Sequence, residues 1–376
     1  MQRSEHYQNL DAVRGIAAQV VLVGHIVLLV AAPASIFPPL EGWGWSGRLS
    51  VLVFFCLSGF AIATTIRRGF VRVGRFDWIE YAIRRIARVY PPYLAAILAA
   101  AAITVARLEG VHFAALKMEF EPFSSTVAPW LRALTFTFLQ QANDALPATN
   151  VAIWSLRIEI ILYAVAACVA LSLGGTRLRR IIWAGLGCFA LLVLFRAFVL
   201  GPTAAALFGF GALAALLRDR VRPSLLGGFA CFTCAALLPL FVPLLARDGP
   251  TGLAYQGLTG LLIGVWLISL AQVPAVEGWV GRALIDTGRW SYTLYILHAP
   301  TLVALRAVLD VTVGGYGGTL SRRMAIVCGS FLVANLVAYG VALLVERPSQ
   351  FAGWMEQILR RRSGRMVPTE LPMPDR

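Results

Sequence analysis

The chain has 376 residues, 59% hydrophobic and only 14% charged, with 33 basic against 19 acidic residues for a formal charge of +14. Apolar runs of the ~20 residues needed to cross a bilayer recur along its length, which excludes a soluble globular enzyme and predicts an all-α polytopic membrane protein. Nucleic acid is excluded as a partner because the arginines are sided about the apolar runs and do not gather on one basic face.

Hydropathy predicts about ten transmembrane helices, near 10–32, 50–66, 90–106, 151–173, 181–200, 203–217, 225–245, 251–271, 291–309 and 324–345. With the N-terminus inside, 23 basic residues fall on the inner side and seven in outer segments, while Arg157, Arg196 and Arg306 lie within spans. Short arginine-rich loops stay cytoplasmic, so both termini are expected there, with Arg322 and Arg323 running against the bias. The first apolar run is too long for a signal-peptide core and is expected to remain in the mature protein.

The first span carries "LDAVRGIAAQVVLVGHI" (10–26). Arg14 and His25 are 11 residues apart, about three helical turns and ~16 Å, and so share one face. Ionisable groups inside a span usually face a cavity. The plain alternatives are a buried His25 bonded to a neighbouring helix and an Arg14 that snorkels to the inner interface. Opening the third span, "YAIRRIARVYPPYL" (81–94) sets Arg84 and Arg88 at i, i+4 and Arg85 and Arg88 at i, i+3, a spacing that clamps phosphate groups or simply meets lipid headgroups. Pro91 and Pro92 are expected to break or kink that helix.

Between the third and fourth spans, 107–150 forms an outer segment in which 128–140 is apolar but too short to cross, and is expected at the membrane surface. "WSLRIEIILY" (154–163) opens the fourth span. Arg157 and Glu159 point to different faces, and Glu159 suits an imidazole partner, a substrate hydroxyl or a structural ion pair. In the ninth, "GRWSYTLYILHAP" (288–300) aligns Tyr292, Tyr295 and His298 on one face, as packing anchors or as a binding surface. His6 and His112 lie in polar stretches and read as solvated. All six cysteines fall in apolar runs as packing residues, and the Cys231–Cys234 pair lacks a second pair, so no metal is expected. No repeat of fixed period is visible. The end of the chain, with Arg360, Arg361, Arg362 and Arg365, reads as a disordered basic segment near anionic headgroups.

Together, "LDAVRGIAAQVVLVGH", "RRIARVYPPY", "WSLRIE", "SYTLYILH" and the closing "VERP" resemble the membrane acyltransferase type 3 family, bacterial proteins that O-acetylate sugars and other hydroxyl-bearing molecules. The resemblance runs in order from residue 9 to about 348. It implies an acyltransferase transmembrane domain over 1–346, a cytoplasmic tail over 347–376, and a multi-pass location in the bacterial inner membrane. It also implies transfer of an acyl group, acetyl by default, from cytoplasmic acetyl-CoA or another acyl-CoA to a hydroxyl-bearing saccharide, glycolipid or lipid-linked acceptor.

By the same resemblance His25 is the catalytic histidine, with Arg14 and Glu159 beside it. Arg14, Arg84, Arg85 and Arg88 are implied near the CoA phosphates or the thioester, and Trp154, Tyr292, Tyr295 and His298 are the candidates for acceptor binding. The pantetheine arm would climb the span from Arg14 to His25. Two routes stay open: His25 as general base on the acceptor, or as a transiently acylated carrier. The chain departs from the family pattern at Ile160, where a second acidic residue often follows Glu159, and at Arg157 inside the motif. The esterase-like (SGNH-type) domain fused to some members is not found, so direct acylation or hand-over to a separate chain is expected. Two competing classes are a multi-helix solute transporter and a scaffold for polysaccharide assembly. The transporter fits less well, because the ionisable residues cluster in the first third and the ninth span and not between repeated halves. The scaffold is weakened by the presence of His25, Arg14 and the arginine pair.

Overall fold

A computed structural model describes residues 7–30, 43–105, 134, 153–198, 200–245, 253–314 and 319–363. Except for Leu134, the segment at 128–140 lies outside the described residues, as do His6 and His112. Among the described residues every regular element is a helix: α1 (Gln8–Leu29), α2 (Trp43–Val73), α3 (Trp78–Val105), α4 (Ile153–Ser172), α5 (Arg177–Ala197), α6 (Gly201–Leu217), α7 (Leu225–Leu245), α8 (Leu253–Ala271), α9 (Gly278–Val313), α10 (Leu320–Val345) and α11 (Pro348–Ser363). Seven of these helices are long and apolar enough to cross a membrane, and three shorter apolar helices lie in α6, α7 and α8. Over half of the α1 span is buried and only 11% of the α5 span, so α1 belongs to the centre and α5 to the rim. Leu178, Ile181, Phe189 and Leu192 on α5 and Leu332, Leu336 and Leu343 on α10 point outward, as lipid-facing side chains do.

Two helix pairs build the centre, and small residues allow both. α1 and α9 run parallel: a Cβ at Gly288 would stand 1.9 Å from the Asp11 carbonyl oxygen, and one at Gly15 would stand 2.8 Å from the Gly288 nitrogen. Backbones touch there, the packing that small residues permit where no hydrophobic force holds helices together in lipid. Further along, the Arg306 guanidinium donates to the Val30 carbonyl at 2.9 Å. α2 meets α6 in the same way, Gly59 against the Phe208 carbonyl and Gly211 against that of Cys56. At the arginine-rich end the Asn9 amide donates to the carbonyls of Leu270, Val273 and Pro274 at 3.2, 3.1 and 2.9 Å, and Arg218 lies 4.9 Å over the Tyr7 ring. These bonds seat the start of α1 and hold it in register with α9.

Three expectations change. The double proline does not end α3, which continues from Trp78 to Val105 with Pro91 and Pro92 inside it. Neighbouring helices hold such a turn within a bundle, and here the Tyr292 hydroxyl donates to the Val89 carbonyl at 3.3 Å. Because α3 starts at Trp78, Arg84, Arg85 and Arg88 lie well inside a helix and not at its opening. Finally, residues 348–363 of the expected disordered tail form α11, whose Phe351, Ala352 and Met355 pack on Ile83 and Ala87 of α3. Their i, i+1, i+4 spacing makes an apolar stripe that a compositional reading overlooks.

Candidate active site

Arg14 from α1, Ser58 from α2, Arg85 and Arg88 from α3, Glu159 from α4 and Tyr292 and Tyr295 from α9 line one cavity of about 70 Å³. Glu159 accepts from the Ser58 hydroxyl at 2.5 Å and from the Tyr163 hydroxyl one turn along its own helix. Arg14 is held by Asp11, one turn back, at 2.9 Å. The Arg85 guanidinium reaches the Thr65 hydroxyl at 3.4 Å and lies 5.7 and 5.9 Å from the Tyr81 and Tyr163 rings, while its Nε is buried without a hydrogen-bond partner among the described residues. Arg88 faces the cavity and makes no hydrogen bond or ion pair among the described residues. Arginines facing a cavity in this state are ready to take up an anion.

Beside this cavity stand two histidines. His25 and His298 have ring centroids 4.7 Å apart, in an edge-on arrangement. His25 Nδ1 lies 2.9 Å from the Val21 carbonyl and His298 Nδ1 lies 3.1 Å from that of Leu294. A carbonyl only accepts, so each Nδ1 carries the hydrogen and each neutral ring keeps a lone pair on Nε2. The His298 Nε2 is buried and unpartnered among the described residues. Tyr295 connects the two regions: it lines the cavity, its hydroxyl is 2.7 Å from that of Ser155, and its ring lies 6.0 Å from His298.

A family model described as an acyltransferase domain, that of the type 3 acyltransferases, matches residues 7–343, from the start of α1 into the last turn of α10. The chain belongs to that family. No curated protein and no solved structure matches it.

In this type 3 acyltransferase, a multi-pass membrane protein, most of the residues singled out by sequence gather at one place, and two do not. Arg84 turns away from the cavity, is 54% exposed and pairs with Glu80 at 2.6 Å. It lies about 100° around the helix from Arg85, toward the exposed side where Glu80 holds it. Trp154 packs against the hydrophobic core and does not line the cavity. Arg157 is buried, and Glu159, two residues on, faces the cavity, so the two do diverge.

Ser58, Tyr163 and Ser155 were not visible as site residues. Tyr163 had a signal, since it stands four residues after Glu159 on the same face. The glutamate of the "VERP" motif also gains a role: Glu346 accepts from the Thr293 backbone nitrogen at 2.8 Å and its hydroxyl at 2.5 Å, fixing α9 next to Tyr292.

Proposed function

We propose that this acyltransferase moves an acyl group, acetyl by default, from acyl-CoA to a hydroxyl of a saccharide, glycolipid or lipid-linked acceptor in the bacterial inner membrane. The observation that supports this best is the conjunction of an arginine-lined cavity with an imidazole pair whose Nε2 atoms carry free lone pairs. The arginine-rich end and both termini face the cytoplasm in this reading. Arg88 and Arg85 are the residues suited to the CoA phosphates, because both face the cavity and the buried Arg85 Nε has no partner among the described residues, so a phosphate would add charge-assisted bonds. Arg14 stands ~16 Å of helix rise below His25, a span the pantetheine arm covers.

The chemistry assigned to the protein is proton transfer. His25 takes the proton of the acceptor hydroxyl on Nε2 as the hydroxyl oxygen attacks the thioester carbonyl. The bond to sulfur breaks, and the His25 imidazolium returns the proton to the departing thiolate. The backbone bond at Nδ1 keeps the ring in this tautomer throughout. Glu159, fixed by Ser58 and Tyr163, orients polar groups in the cavity and does not reach the imidazole through any bond described here.

The test is CoA release from acetyl-CoA by protein in nanodiscs, together with mass spectrometry of cell glycans and lipids for the gain of an acetyl group. His25→Ala is expected to lose about 100- to 10,000-fold of the transfer rate while the protein remains in the membrane. A variant that keeps more than about a tenth of the activity refutes the role of His25. Solute accumulation in vesicles without CoA release would instead mark a transporter.

A further inference from the structure

A second cavity, of about 420 Å³, lies between α3, α4 and α5. On α3 its wall is Trp78, Ala82, Ile86 and Tyr90, a stripe of spacing four; Ala164 and Trp183 face it from α4 and α5. Almost all of the lining is apolar, and the volume falls within the roughly 300–1,000 Å³ of small-molecule sites. Its inner wall is the outer wall of the candidate active site: Arg85, Val89 and Tyr163 line both cavities. α3 and α4 are joined across this gap by side chains, the Tyr81 hydroxyl donating to the Tyr163 carbonyl at 3.1 Å and Arg85 lying over the Tyr163 ring.

We propose that this groove holds the hydrocarbon chain of the acceptor, which is therefore an amphiphile that enters from the lipid phase. The inference rests on the acyl-transfer reading and narrows its acceptor to a class. From Trp78 to Tyr90 the groove runs ~18 Å, about one hydrocarbon chain. A chain in the groove with its head turned across the shared wall at Arg85 and Tyr163 brings a hydroxyl into the candidate active site. An apolar gap inside a membrane fills with hydrocarbon, and here that hydrocarbon abuts the catalytic wall.

The test compares dodecyl maltoside with maltose as acceptors in nanodiscs, with acetyl-CoA as donor, for wild type, Ala164→Phe and Ala82→Phe. Ala164 is exposed to the groove, so a ring there fills it without displacing the core. Partition into the bilayer is the same for every variant and cancels. The kcat/KM ratio of dodecyl maltoside over maltose should fall about tenfold or more in each variant, the loss of some two methylene contacts at ~0.8 kcal/mol each. A ratio unchanged in both folded variants, with CoA release intact, means the groove holds only bulk lipid and overturns the proposal. So does an unchanged ratio accompanied by loss of palmitoyl-CoA relative to acetyl-CoA, which would give the groove to the donor. Wild type that releases no CoA with any acceptor overturns the acyl-transfer reading itself.

Discussion

Gly288→Ala tests whether the crossing of α1 and α9 sets the catalytic geometry. A Cβ at Gly288 would stand 1.9 Å from the Asp11 carbonyl oxygen and 2.4 Å from its carbon, where real side chains keep at least 3.0 Å. These are backbone atoms that no rotamer change can move, so the two helices must part by about 1 Å. His25 and His298, each ten residues beyond its crossing glycine, have ring centroids only 4.7 Å apart and must separate with them. Overpacking of this kind costs about 1–3 kcal/mol of stability, and ~1 Å of misplacement costs about 100-fold in rate. Thermal aggregation of purified protein should show a lower Tm, and CoA release a kcat about 100-fold below wild type. Gly340→Ala is the control, because nothing stands within 4 Å of a Cβ there. If Gly288→Ala keeps the wild-type kcat, the crossing does not position the histidines.

Arg88→Ala should raise KM for acetyl-CoA by about 10- to 150-fold, as for the loss of a ~1.5–3 kcal/mol charged hydrogen bond, whereas Arg84→Ala should change it less than about threefold because it pairs with Glu80 on an exposed face; initial-rate kinetics separate the two. Glu346→Gln weakens both bonds to Thr293, and should lower Tm and kcat together while KM for acetyl-CoA stays near wild type. Free CoA at 100 times its Kd should stabilise wild type by ~2.7 kcal/mol in thermal unfolding, and the shift should fall to about 0.3–1.4 kcal/mol in Arg88→Ala at the same concentration, as a 10- to 150-fold weaker Kd requires.

Hydropathy reveals the helices because burial in lipid demands continuous apolar runs, and it places α1 and α4 within two residues of their starts, yet it misplaces the starts of two others that carry function. α3 begins at Trp78, not near 90, and α9 at Gly278, not near 291. In both, the first turns hold polar side chains that a hydropathy window reads as flanks, while the folded chain turns them inward or pairs them. Arg85 and Arg88 face the cavity and Arg84 meets Glu80. The pairing of His25 with His298 is a tertiary property, fixed by which glycines touch. Its one trace in the sequence is the equal spacing, Gly15 to His25 and Gly288 to His298, ten residues each, which puts both imidazoles at one level once the helices run parallel. α11 escaped a compositional reading because its arginines dominate the average while three apolar residues decide its packing.

The charge balance of the site explains why a membrane protein keeps these arginines at all. Arg14, Arg85 and Arg88 surround a cavity in which Glu159 is the single carboxylate of the lining, and Arg14 alone has a carboxylate bound, that of Asp11. Positive charge taken out of water without a counter-charge is costly, and that cost is offset when an anion arrives. A ligand with several negative charges gains more from such a cavity than a neutral one, and the gain appears only on binding. His25 stands ~16 Å further along α1 than Arg14, so the imidazole proposed as the base is held away from that guanidinium. On the proposed reading, the length of helix between Arg14 and His25 lets one protein bind a highly charged carrier and still use a neutral histidine.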